Sequence, residues 1–139
     1  MEFHKDGKRP RKNQIFVFGS NKAGRHGAGA AKAARKNYGA EYYNGFGMQG
    51  QSYAIPTKDF NLQTMELDEI KYYVMIFLRF AISNPDKEFM VTRIGCGLAG
   101  YKDKDIAPMF KKAPSNCSFA KEWEPYLVKS TRKKNVGKG

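Results

Sequence analysis

The sequence predicts one three-layer α/β domain, with a mainly parallel central sheet between flanking helices. Three observations predict this fold class. The chain has 139 residues, which is the size of one ordinary domain. Apolar segments of strand length alternate with segments of helical periodicity, a pattern typical of parallel strands joined by right-handed crossovers. Two glycine-rich loops also follow predicted strands, as in sheets that bind ligands at their carboxyl edge.

The first half of the predicted domain contains two strands and one helix. The continuous apolar run at residues 15–18 predicts a strand that is buried on both faces and therefore central. After a glycine-rich loop, the Ala-rich segment at residues 30–38 predicts a helix that ends at Gly39. Residues 52–57 predict the next strand, with Pro56 at its end. We expect this strand to place Lys58 at the carboxyl edge of the sheet.

The second half begins with the longest predicted helix. Residues 65–83 carry apolar side chains at helical spacings, and the pair Asn84-Pro85 ends the helix. Residues 88–94 predict a strand, which a second glycine-rich loop and a short helix from about Asp103 follow. Residues 116–120 predict a last short strand.

Basic residues are concentrated at the two ends of the chain. The sequence contains 25 Lys and Arg against 13 Asp and Glu, a net charge of +12. Because residues 1–13 and 129–139 lack apolar periodicity, we predict a basic N-terminal segment, a domain over residues 14–128 and a basic C-terminal tail. Such a charge predicts an anionic partner, including nucleic acid bound through the basic ends.

Several other classes of protein are disfavoured. No segment approaches 18 consecutive apolar residues, and the N-terminus lacks the apolar stretch of a signal peptide. Two cysteines and two histidines are too few to predict a disulfide framework or a zinc site. We therefore expect a monomeric cytoplasmic protein without a membrane partner, a metal or another cofactor.

Two loops contain the residues most typical of a phosphate site. Residues 19–29 include four glycines directly before a helix, so backbone amides and the helix N-terminus can surround a diphosphate. The alternative is a tight strand-to-helix turn with no ligand. The first loop runs into the helix as GAGAAK and lacks the Lys-Ser pair of a Walker A motif, which disfavours a nucleoside triphosphatase. Residues 95–100 (GCGLAG) match G-x-G-x-x-G, but no clear acidic residue follows about 20 positions later, which disfavours a dinucleotide dehydrogenase.

These loops resemble those of the macro domains, which bind ADP-ribose and related nucleotides. The segment FGSNKAGRHGAGAAKAARKNYG is similar to the macro strand, loop and helix, and VTRIGCGLAGYKDKDIA is similar to the second phosphate loop. The resemblance covers roughly residues 14–120. In these short motifs the sequence most resembles the small macro domains that remove terminal ADP-ribose from proteins. They share a similar IGCGL run, a similar GAG before the helix and an I-x-x-Lys after the middle strand.

The resemblance implies a role for individual residues. The loop at residues 27–29 and the loop at residues 95–100 would bind opposite sides of the diphosphate through backbone amides. Asn21 and Tyr101 would contact the distal ribose, and His26 would approach the same sugar. Lys58 matches the lysine that attacks the anomeric carbon of that ribose. The implied catalytic residues are thus Lys58 and His26, and the implied ligand-binding residues are Asn21, Gly27, Ala28, Gly29, Gly95, Cys96, Gly97, Leu98, Ala99, Gly100 and Tyr101.

The sequence departs from the hydrolytic macro domains at two acidic positions. Ala99 stands where the glycohydrolase branch has an aspartate, and residues 29–32 lack the aspartate of the other hydrolytic branches. Asp59, Asp103 and Asp105 remain as substitutes. Three functions therefore stay open: an ADP-ribosyl hydrolase or phosphatase, a module that binds ADP-ribose without turnover, and a basic nucleic-acid-binding protein.

Overall fold

The computed structural model describes residues 1–128, and strands of this part of the chain form one six-stranded sheet. The strands are β1 (Glu2–His4), β2 (Gln14–Asn21), β3 (Gly47–Gln49), β4 (Ser52–Lys58), β5 (Glu88–Val91) and β6 (Cys117–Ala120). The strand order is β1-β6-β5-β2-β4-β3, and all neighbours are parallel except β3 and β4. The central position predicted for β2 is confirmed, because it pairs with both β4 and β5.

Helices cover both faces of the sheet. The helices are α1 (Gly29–Asn37), α2 (Leu67–Ser83), α3 (Asp103–Ile106) and α4 (Glu124–Leu127), with 3₁₀ turns at Ala107–Phe110 and Lys121–Trp123. Alternate side chains of β2 point to opposite faces, so Phe16 and Phe18 pack with the alanines of α1, whereas Ile15 and Val17 belong to the larger cluster with α2. The three-layer α/β class is therefore confirmed.

Three features differ from the sequence-based expectation. The folded unit was expected to begin at residue 14, but β1 adds a parallel edge strand before it. The antiparallel strand β3 was not expected. β4 continues two residues past Pro56 to Lys58. Pro56 is tolerated because β3 pairs with β4 only as far as Ala54, which leaves the proline without a ladder partner on that side.

The ends of the chain bear on two further expectations. None of the helices within residues 1–128 is long and apolar enough to cross a lipid bilayer. The basic tail predicted at residues 129–139 lies outside the described residues.

Candidate functional site

A cavity of about 990 Å³ lies at the carboxyl ends of the parallel strands. As predicted, the loops after β2, β4 and β5 converge on it. The segment after β1 also lines it, which the sequence did not indicate. Because the strands are parallel, all four of these segments leave the same edge of the sheet, and the cavity follows that edge.

The structure brings most of the predicted site residues to this cavity. Lys58 lines it at the end of β4, and Asn21 lines it at the end of β2. The two glycine-rich loops contribute residues 27–29 and 95–99 to the same lining. Three predicted residues are not part of the lining, namely His26, Gly100 and Tyr101.

The glycines of the two loops serve different purposes. Gly29 and Gly95 have φ angles of +58° and +79°, the left-handed region that glycine adopts at least cost. Gly27 and Gly97 lie outside that region, and a Cβ added to either would meet no protein atom within 4 Å. Since both line the cavity, such a Cβ would project into its open space. The backbone is thus bare at the two points where a ligand would approach it.

The side chain of Asn21 is already engaged by the protein. Its amide nitrogen donates to the carbonyl oxygen of Arg25 over 3.0 Å, and its oxygen accepts from the Arg25 amide over 2.9 Å. This pair of bonds closes the turn that leads into residues 27–29. Asn21 therefore shapes the loop, whereas the resemblance implied a bond to ribose.

His26 is a fully buried residue of the first glycine-rich loop and does not line the cavity. Its Nε2 lies 2.8 Å from Oγ of Ser20, and its ring packs edge-on against Phe18. Burial and, secondarily, the nearby charge of Arg35 lower the pKa of His26 below its usual value. The imidazole is consequently neutral at neutral pH, and the cavity-lining polar group at this point is Ser20.

Cys96 in the second loop and Tyr101 directly after it are partly buried side chains. The hydroxyl of Tyr101 donates to the carbonyl oxygen of Met65 over 2.7 Å, and its ring packs against the main core. Burial raises the pKa of the Cys96 thiol to about 12, so the thiol stays protonated at neutral pH. Neither side chain is available as a reactive group of the site.

Positive charge dominates the lining of the cavity. Among the described lining residues, Asp6 is the one carboxylate. It lies 3.3 Å from Nη1 of Arg93, whose guanidinium also makes two hydrogen bonds with Asp103, of 3.0 and 2.7 Å. Five cationic side chains line the same cavity, namely Lys8, Arg9, Arg25, Lys58 and Arg93. The cavity is therefore suited to an anionic ligand.

None of the three aspartates considered as substitutes lines the cavity. Asp103 accepts from Arg93 and, over 2.7 Å, from the indole of Trp123. Burial opposes ionisation of Asp103, but these hydrogen bonds outweigh it and lower the pKa of the carboxyl. Asp59 accepts two backbone amides of its own loop, and Asp105 accepts the amide that begins α3. All three carboxylates thus have structural partners, and none of the three lines the ligand space.

Comparison with known proteins gives a fold and no family assignment. No family model and no curated protein matches the sequence. A structure of Thermosipho africanus DarTG in complex with ADP-ribose is 14% identical with a TM-score of 0.56, over 80% of this chain. The chain has a macro-like fold. It spans only 39% of the length of that structure, so the likeness concerns one part of a larger protein.

A second solved structure has the same fold over nearly its whole length. This protein of unknown function from Bacteroides thetaiotaomicron is 18% identical, with a TM-score of 0.56. The alignment covers 86% of this chain and 96% of that one. A macro-like unit of this size is therefore found in another solved chain.

Proposed function

We propose that this macro-like chain binds ADP-ribose or a related nucleotide in the cavity at the carboxyl edge of its sheet. One observation carries the proposal: two glycine-rich loops, with open space beside Gly27 and Gly29 in one and Gly97 in the other, line the same cavity together with five cations and one acid. A diphosphate needs amide donors on both sides and a positive field, and this arrangement supplies both. The ADP-ribose complex of the similar DarTG structure supports the same ligand class.

The position of Lys58 gives the ligand a direction. The resemblance to the glycohydrolase branch implies that this lysine meets the anomeric carbon of the distal ribose. Lys58 ends β4, on one side of β2 and its loop, and β5 and its loop lie on the other side. The distal ribose then occupies the β4 end of the cavity, and the nucleoside half extends towards β5 and β1.

Calorimetry with free ADP-ribose tests the binding proposal directly. We expect one ligand per chain and a dissociation constant that rises with salt, because screening weakens the attraction between the diphosphate and the cations. The affinity for ADP shows what the distal ribose contributes, because ADP lacks it. The affinity for ribose 5-phosphate shows what the nucleoside contributes, because ribose 5-phosphate lacks it. Absence of both binding heat and a thermal shift at millimolar ADP-ribose would reject the proposal.

A second function, removal of ADP-ribose from a modified protein or nucleic acid, has one observation in its favour. Lys58 lines the cavity, and no carboxylate within residues 1–128 lies within ion-pair distance of its ammonium group. In its neutral form, the amine would attack the anomeric carbon as the bond to the modified group breaks, with the electron pair leaving on that group. Water would then release the sugar and regenerate the lysine.

Substitution of Lys58 separates turnover from binding. In Lys58→Arg the positive charge remains but the nucleophilic amine is lost, so we expect ADP-ribose affinity within about threefold of wild type and no turnover. The measurement is release of labelled ADP-ribose from a mono-ADP-ribosylated protein. Release that survives in Lys58→Arg would remove this lysine from the mechanism, and no release by wild type would leave binding as the function. The predicted contact of nucleic acid with the basic ends stays a prediction.

A further inference from the structure

The segment between β1 and β2 lines the cavity and follows the strand that is farthest from β4 in the sheet. In the strand order, β1 is separated from β2 by β6 and β5 and from β4 by one strand more. At about 4.8 Å per strand, β1 lies about 14 Å from β2 and about 19 Å from β4. Residues 6–9 line the cavity at this end. A ligand that reaches them extends from the ends of β2 and β4 towards β1.

Contacts on both sides fix this segment against the domain. Before it, Nδ1 of the buried His4 lies 2.6 Å from Oγ of Ser118 in β6. Within it, the amide of Lys8 donates to the carbonyl oxygen of Lys5 over 3.0 Å, and Gly7 adopts the positive φ of a tight turn. The carboxylate of Asp6 then pairs with Arg93 at the end of β5. These contacts fix the backbone that carries Lys8 and Arg9, and both residues line the cavity.

The charges of the cavity exceed those of a diphosphate. Arg93 is paired with two aspartates, so its charge is already neutralised by the protein. Within residues 1–128, no carboxylate lies within 4.0 Å of the charged groups of the four other lining cations, which are Lys8, Arg9, Arg25 and Lys58. The group of Asp6, Arg93 and Asp103 keeps one negative charge and a diphosphate diester carries two, so the four other cations leave a surplus of one positive charge. A phosphomonoester carries a charge of about −1.5 to −2 at pH 7.

We propose that Lys8 and Arg9 form a subsite for a further phosphate on the nucleoside half of the bound nucleotide. The inference rests on the proposed function, because the direction of the ligand follows from the distal ribose at Lys58. A phosphate on a hydroxyl of the nucleoside ribose lies one sugar ring from the diphosphate, on the side where the two basic side chains line the cavity. This phosphate is either a terminal monoester or the diester that links the nucleotide to a nucleic-acid strand.

Three ligands distinguish these sources by calorimetry at low salt. They are ADP-ribose, ADP-ribose 2′-phosphate, and ADP-ribose extended from its 3′-hydroxyl by one nucleotide through a phosphodiester. We expect at least one of the phosphorylated ligands to bind about tenfold more tightly than ADP-ribose, with a steeper salt dependence. Preference for the 2′-phosphate supports a monoester, and preference for the extended ligand supports a nucleic-acid strand.

The double variant Lys8→Ala/Arg9→Ala tests the residues. It should weaken binding of the preferred phosphorylated ligand by about tenfold more than it weakens binding of ADP-ribose, so the preference is lost. The control Lys5→Ala/Lys12→Ala removes the same charge from the same segment, but neither residue lines this cavity, so the preference should remain. Equal affinity of wild type for all three ligands overturns this inference alone, as does a preference that survives in Lys8→Ala/Arg9→Ala. Absence of binding by every ligand overturns the proposed function as well.

Discussion

Valine at position 97 or at position 27 is expected to reduce the affinity for ADP-ribose by about 100-fold, or about 2.7 kcal/mol, without unfolding the protein. Gly97 and Gly27 line the cavity from two different loops, and both have backbone angles outside the left-handed region. A Cβ added at either position meets no protein atom within 4 Å. The new side chain therefore occupies only the space that the diphosphate would use.

The measurement combines calorimetry with thermal unfolding. Gly97→Ala provides a graded comparison, because one methyl group removes less of the open space than an isopropyl group. We expect affinity to fall from wild type to Gly97→Ala to Gly97→Val, while the midpoint of unfolding stays close to that of wild type in all three. Full affinity in both Gly97→Val and Gly27→Val would show that no ligand lies between the loops.

The sequence predicted the elements whose signals are local. The buried run in β2 and the amphipathic α2 are long enough for periodicity to define them, and their neighbours in the fold do not alter the pattern. Parallel connections then placed the loops after β2, β4 and β5 on one edge of the sheet. The glycine-rich lining of the cavity was predictable for this reason.

The features that the sequence missed depend on contacts between distant residues. β1 and β3 have three residues each, too few for any alternation to be visible. The burial of His26 depends on Ser20 and Phe18 of β2, and neither the ring nor its partners carry a pattern that distinguishes a buried histidine from a loop catalyst. The ligand space beside Lys8 and Arg9 appears only once β1 is paired with β6.

A glycine outside the predicted motifs gives the second large effect. Gly45 is buried where residues 44–46 pass behind the end of β2. An added Cβ would lie 1.9 Å from the carbonyl oxygen of Asn21 and 3.2 Å from Cα of Lys22. Both obstacles are backbone atoms, so no side-chain rotation relieves the overlap. The sequence shows only a glycine in a loop, because the approach joins residues 24 positions apart.

Gly45→Ala is therefore expected to destabilise the protein by about 3 kcal/mol and to lower the midpoint of thermal unfolding by about 10 °C. To accommodate the methyl group, the backbone at Asn21 must move, and its side-chain bonds to Arg25 must move with it. Because that turn leads into residues 27–29, affinity for ADP-ribose should fall in the same variant, even below the unfolding transition.

Gly27→Ala is the matched control for stability, since it adds the same methyl group where no atom lies within 4 Å. Its unfolding midpoint should stay near that of wild type. If Gly45→Ala unfolds at the same temperature as Gly27→Ala, the backbone at Gly45 does not pack against the backbone at Asn21. If Gly45→Ala is destabilised but binds ADP-ribose with full affinity, the turn at Asn21 is independent of the loop that carries the ligand. Loss of both stability and affinity would show that the contact between Gly45 and Asn21 positions the loop at residues 27–29 for binding.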